Sequence, residues 1–142
     1  MPIKDNRSDF EPILVQTDII STDTTTDGSS FDTRNFEAGV TFVFLATAYT
    51  DGTYTPVLEE SATGAFTGEE NVIADANLIG TETGAAISAA ISEGDVLNSI
   101  GIFSTKQFVR STIVSTSTST GATISTIVIA GPELVPSPNL SA

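Results

Sequence analysis

The chain has 142 residues, with 18 Asp and Glu against 5 Lys and Arg, no His and no Cys, for a formal charge of −13. Without His and Cys, the common zinc, haem and iron–sulfur ligand sets, a disulfide framework and any Ser-His-Asp or Cys-His triad are excluded. The carboxylate excess disfavours nucleic acid and anionic membrane surfaces, which select Lys and Arg, so neither is expected as a partner.

No apolar run approaches the ~20 residues of a membrane-spanning helix. Met1 to Phe10 is polar and lacks the apolar stretch of a secretory signal. Charged residues are only 16% of the chain, and mean hydropathy is +0.17, which argues against disorder for most of the length. The 16 Ser and 22 Thr, mixed with Val and Ile, favour strands and turns, because β-branched side chains fit a pleated surface better than a helix.

In chain order, residues 1–12 read as an irregular N-terminal arm, with Pro2 and Pro12 and no periodicity. Ile13 to Ile20 is a first strand. Ser21 to Ser30 is a polar loop, followed by a short strand near Ser30 to Thr33. Ala38 to Tyr49 is the strongest signal. Phe42, Phe44 and Ala46 face one way, Val43 and Leu45 the other, and two apolar faces imply a central strand covered on both sides. Thr50-Asp51-Gly52-Thr53 reads as a type I′ hairpin turn returning along Tyr54 to Ser61. Pro56 lacks an N–H, which places that strand at an edge or its proline at a bulge.

Gly64 to Glu70 is a loop. The Ala-rich stretch Glu82 to Asp95 reads either as a helix ended by Gly94 or as a loop crossing one end of a sheet. Val96 to Ser104, with a bulge expected at Gly101, and Gln107 to Ser115 are further strands. Ser115 to Gly121 is a hairpin connection to a last strand, Ala122 to Ala130. Residues 131–142 form a Pro-rich C-terminal tail. Seven or eight strands between turns predict a single all-β domain over 13–130, an antiparallel β-sandwich or jelly roll with extended arms.

No catalytic constellation emerges, so no enzyme, cofactor or metal is expected. Glu59-Glu60 and Glu69-Glu70 are adjacent carboxylates, and neighbours in a strand point to opposite faces, so Glu59 and Glu60 cannot serve one cleft. They read as solubilising charge. Asp23, Asp27, Asp32 and Glu37 match no EF-hand spacing and read as a solvated loop. Lys106 and Arg110 read as salt-bridge partners for the many carboxylates. The eight Phe and two Tyr read as core. A site-free acidic β-domain is more naturally a structural or interaction protein. Its terminal segments carry apolar anchors between prolines: Ile3, Phe10 and Ile13 at one end, Leu134, Val135 and Leu140 at the other. Pro-restricted segments lose little entropy on docking, so these are the expected partner-binding residues.

Two stretches carry a family resemblance. One is Gly39 to Ser61, with the run TDGTYTPVLEES. The other is TKQFVRSTIVSTSTSTGATISTIVIAGPELVPSP, from Thr105 onward. Together they resemble capsid cement or decoration proteins of tailed bacteriophages, which share a D-G-T-[FYH]-T-x-x-L-x-E-S run and a K-[RQ]-[YF]-[VI]-R run. The resemblance implies a β-sandwich subunit on the outside of the virion, bound to the major capsid protein between capsomers and commonly trimeric. The rival readings are a phage tail, neck or fibre component and, behind these, a carbohydrate-binding module, which the lack of Trp disfavours.

Overall fold

The computed structural model describes residues 10–34, 36, 39–68 and 70–131. Among the described residues ten strands form: β1 (Glu11–Ile20), β2 (Thr25–Asp27), β3 (Phe31–Asp32), β4 (Val40–Thr47), β5 (Thr53–Ser61), β6 (Asn71–Val72), β7 (Leu78–Ile79), β8 (Asn98–Ile102), β9 (Phe108–Thr116) and β10 (Ala122–Ala130). They make two antiparallel sheets packed as a β-sandwich. Sheet A has the order β1-β10-β4-β8-β7. Sheet B has the order β2-β9-β5-β6, with β3 also paired to β9.

The inner layer follows from period-two alternation. In β4, Val40, Phe42, Phe44 and Ala46 are buried while the residues between them are not. In β10, Ala122, Ile124, Thr126, Val128 and Ala130 are buried in the same way. Sheet B answers with Tyr54, Pro56 and Leu58 from β5 and Val109 and Ile113 from β9. Phe42 and Phe44 stack with ring centroids 6.4 Å apart.

One polar group bridges the core. Gln16 is buried, and its Oε1 accepts hydrogen bonds from Ser111 Oγ in sheet B (3.1 Å) and Thr126 Oγ1 in sheet A (3.3 Å). Its Nε2 donates to Asp18 and to the Thr26 carbonyl. A bulge between Leu14 and Gln16 turns this side chain inward. Gly28, just past β2, sits where a Cβ would meet the Ser111 carbonyl oxygen at 2.7 Å, so only glycine lets the chain run this close to β9.

The largest departure from the sequence reading concerns the two expected hairpins. β4 pairs with β10 and β8, whereas β5 pairs with β9 and β6. The Asp51-Gly52 segment therefore crosses between sheets. Gly52 has φ +100°, but Asp51 is not in the left-handed region, so the pair of positive φ values that a type I′ turn needs is absent. The 117–121 segment likewise carries the chain from sheet B to sheet A. The two crossings lie side by side as nested arches, because β4 pairs with β10 and β5 with β9.

Other corrections are smaller. β1 begins at Glu11, so its first two residues fall within the expected arm. No helix forms over 82–95, which turns along the sandwich and buries Ala85 and Ile87. Ile87 makes a two-way backbone bridge to Tyr54, at 2.9 Å each way. Beyond it, the Leu58 N–H finds the Glu82 carboxylate at 2.8 Å. Pro56 lies between Tyr54 and Leu58 on that side of β5, where no strand runs, so its missing N–H breaks no ladder. Gly101 pairs in register in β8 without a bulge and leaves room for Ile79 across from it. The outward side of β4, Thr41, Val43 and Leu45, is half-exposed, so that strand is covered on one face.

Candidate functional site

The two ends of the sandwich differ in kind. At the arch end, carboxylates lock the crossings together. Asp51 accepts hydrogen bonds from the Ser119 hydroxyl and from the N–H groups of Ser119, Thr120 and Gly121, the last at 2.8 Å. Led by the Ser119 hydroxyl and the Gly121 N–H, these donors hold its pKa down to about 2. Asp23, from the β1–β2 connection, accepts the Thr118 N–H at 2.7 Å. Tyr54 Oη donates to the Asp51 carbonyl, and Tyr49 Oη donates to the carbonyls of Gly52 and Ser88. Burial pushes the Tyr54 phenol up, so it stays neutral as a donor. Gly121 has φ +93°, and a side chain there would collide with the Ile20 carbonyl.

The opposite end is where the chain enters β1 and exits β10. Glu11 pairs with Ala130, so Phe10 and Gly131 follow on adjacent strands. Beside that exit lies an open pocket of about 470 Å³, lined by Thr33, Phe36, Gly39, Val40, Ile102, Phe103 and Ser104. Two aromatics expected in the core are exposed: Phe10, at the exit itself, and Phe103, which lines the pocket, are 46% and 61% exposed. Of the expected partner residues, Phe10 therefore stands in solvent. Ile13 turns inward and packs against the core. Ile3, Leu134, Val135 and Leu140 lie outside the described residues, as do the arms themselves.

The acidic residues of the sequence reading scatter. Glu59 faces outward on sheet B and binds Arg110 Nε at 2.7 Å; Arg110 also reaches Asp27 at 3.3 Å and lies over the Phe66 ring, 4.6 Å from its centroid. Glu60 is buried rather than solubilising. Burial acts to raise its pKa, but the Ser104 hydroxyl and the Thr105 N–H and hydroxyl outweigh it, and the net shift is downward. Asp32 is held below the ordinary range chiefly by Arg34. Asp23, Asp27 and Asp32 thus serve three different partners. Among the described residues no group of three or more Asp or Glu could hold a metal ion. Glu37 and Glu69 lie outside the described residues. Arg110 is the expected salt bridge, while Lys106 makes no ion pair among the described residues.

The resemblance-bearing motifs fall on the paired strands β5 and β9 and the segments that lead into them. Asp51, Gly52 and Tyr54 build the arch, Leu58 and Val109 are fully buried, Glu60 pins the 104–107 turn, and Glu59 pairs with Arg110. Sequence reasoning missed Asp51 as a latch and Gln16 as the core bridge, since neither leaves a local pattern. The chain matches no family model, no curated protein and no solved structure.

Proposed function

We propose that this protein is a structural component of a tailed-phage virion, a decoration protein that binds the outer surface of the head between capsomers and reinforces the shell. The observation that carries the reading is that the two decoration-protein-like runs occupy two paired strands of one sandwich, with their polar residues used in building it. Such motifs specify a scaffold, as a structural protein requires, and leave recognition to the ends and faces.

In this reading the exit end meets the major capsid protein. It offers exposed Phe10 and Phe103, the apolar pocket and two terminal segments whose anchors are Ile3, Leu134, Val135 and Leu140. The latched acidic end then faces solvent, where a charge of −13 favours solubility and keeps DNA away. Anything that binds only the assembled shell stabilises it by mass action.

The test is co-sedimentation of purified protein with mature and with unexpanded heads of its own phage. Saturable binding that prefers mature heads is expected. Removing residues 1–9 or 132–142 should weaken binding while thermal unfolding stays unchanged. No binding to either head form would overturn the reading and move the protein to the tail or neck.

A further inference from the structure

The pocket at the exit end is apolar in what it offers an occupant. Phe36, Gly39, Val40, Ile102 and Phe103 supply contact area. Its two hydroxyls are already engaged. Thr33 Oγ1 donates to the Gln107 carbonyl at 2.9 Å, and Ser104 Oγ donates to Glu60 at 2.7 Å and accepts the Lys106 N–H at 3.1 Å. The space, about 470 Å³, lies within the ~300–1,000 Å³ of ligand-sized clefts.

The rim is basic, in a chain of −13. The described residues include three cations, Arg34, Lys106 and Arg110. Arg34 and Lys106 flank the backbone hydrogen bond from the Thr33 N–H to the Gln107 carbonyl, beside the pocket. Arg34 is paired with Asp32, whereas Lys106 is exposed and makes no ion pair among the described residues. The pocket thus suits an aliphatic segment that carries a carboxylate.

Strand β10 delivers such a segment to it. Ala130, Val40 and Ile102 pair in one row across β10, β4 and β8, and all three are buried. One step beyond that row are Gly39 and Phe103, which line the pocket, and Gly131, which is buried as well. The chain then reads Pro132-Glu133-Leu134-Val135-Pro136. At ~3.3 Å per residue, Leu134 lies within ~10 Å of Gly131. Prolines on both sides lower the entropy lost on docking. The N-terminal segment fits less well. It arrives on β1, one strand farther from β4, and its Lys4 and Arg7 have the sign of the rim.

We propose that the pocket is the docking site of this chain's own C-terminal segment, with Leu134 and Val135 seated against Phe36 and Phe103 and Glu133 facing Lys106. The tether is short, so the effective concentration is on the order of millimolar, and contacts too weak to hold two separate molecules suffice. A segment held this lightly leaves its pocket before the sandwich unfolds, so thermal unfolding does not report it. The proposal concerns the chain by itself and does not rest on the virion reading.

NMR of the full chain tests it. Nuclear Overhauser contacts are expected from the Leu134 and Val135 methyls to the Phe36 and Phe103 rings, with backbone order parameters above ~0.6 at both aliphatic residues. Leu134→Ser/Val135→Ser should abolish those contacts and shift the Gly39, Val40 and Phe103 amide resonances, while Asp51 and Gly121 at the arch end stay in place. Lys106→Glu should lower the docking constant about two- to fivefold, and Glu133→Lys in the same chain should restore it. Order parameters below ~0.6 at Leu134 and Val135 overturn the proposal. So do pocket resonances unmoved by the double serine variant, or docking indifferent to Lys106→Glu. Pocket shifts that follow Ile3→Ser instead give the pocket to the N-terminal segment, and contacts that fade on dilution give it to the tail of a second copy; either result overturns the proposal.

Discussion

The outer faces of the two sheets are built from the same strand geometry and opposite chemistry. Sheet B presents threonines, Val57, Val114 and one ion-pair cluster, in which Arg110 joins Glu59 and Asp27 and lies over the Phe66 ring. Sheet A presents aliphatic side chains and hydroxyls with no charge. A face that stays in water can satisfy itself with its own polar contacts. The outer face of sheet A instead leaves Leu14, Ile19 and Ile79 largely in water. The contrast also separates residues that hold the fold from residues that do not.

That contrast can be broken in four ways, starting with the layer both faces share. Phe42→Ala removes a fully buried ring and should cost about 3–5 kcal/mol, read as a fall in the urea midpoint. If it costs under ~1 kcal/mol, the sandwich core is not where the structure places it. Arg110→Met should cost about 1–3 kcal/mol, because Glu59 loses its charged partner and keeps only the Thr112 hydroxyl while 15% exposed.

Asp51 gives a pH signature. Its folded pKa of about 2 lies below the ordinary aspartate value of 3.8, so the stabilisation is fully present above 3.8 and is lost as pH falls toward 2. Asp51→Ala should flatten the acid side of the stability curve in that window. An unchanged acid limb would remove the latch from the account. The smallest effect belongs to sheet A: Leu14→Thr should change stability by no more than about 0.5 kcal/mol. If it destabilises as much as Arg110→Met, Leu14 is structural and the contrast between the faces fails.

Much of the inner layer was legible in the sequence as strands. The alternation of Val40 to Thr47 separates Phe42, Phe44 and Ala46 from Val43 and Leu45 but does not say which side is buried, because both sides are apolar, and Ala122 to Ala130 reads only as a strand. Pro56 predicts an edge or a bulge, whereas β5 is an internal strand in unbroken register with β9, and only the far side of the strand lacks a neighbour at the proline. The partners of the strands were not legible. Asp51-Gly52 supplies one positive φ to a hairpin or to an arch alike, and only tertiary pairing decides between them. The short β2, β6 and β7 escaped because two or three residues carry no period. Glu60 was read as surface charge because its partners, Ser104 and Thr105, lie more than forty residues away. The exit end was read as two separate termini, since their adjacency depends on the Glu11–Ala130 pairing.

The position of β10 has a consequence for folding. It lies between β1 and β4, and among the described strands it is the last in chain order. Among the described residues β1 pairs only with β10, and β4 otherwise meets only the five-residue β8. Sheet A cannot close until Ala122 to Ala130 is in place, and the earlier strands keep apolar faces exposed until then. Its assembly is dominated by distant contacts, hence slow. A chain interrupted before residue 122 lacks the strand that joins β1 to β4.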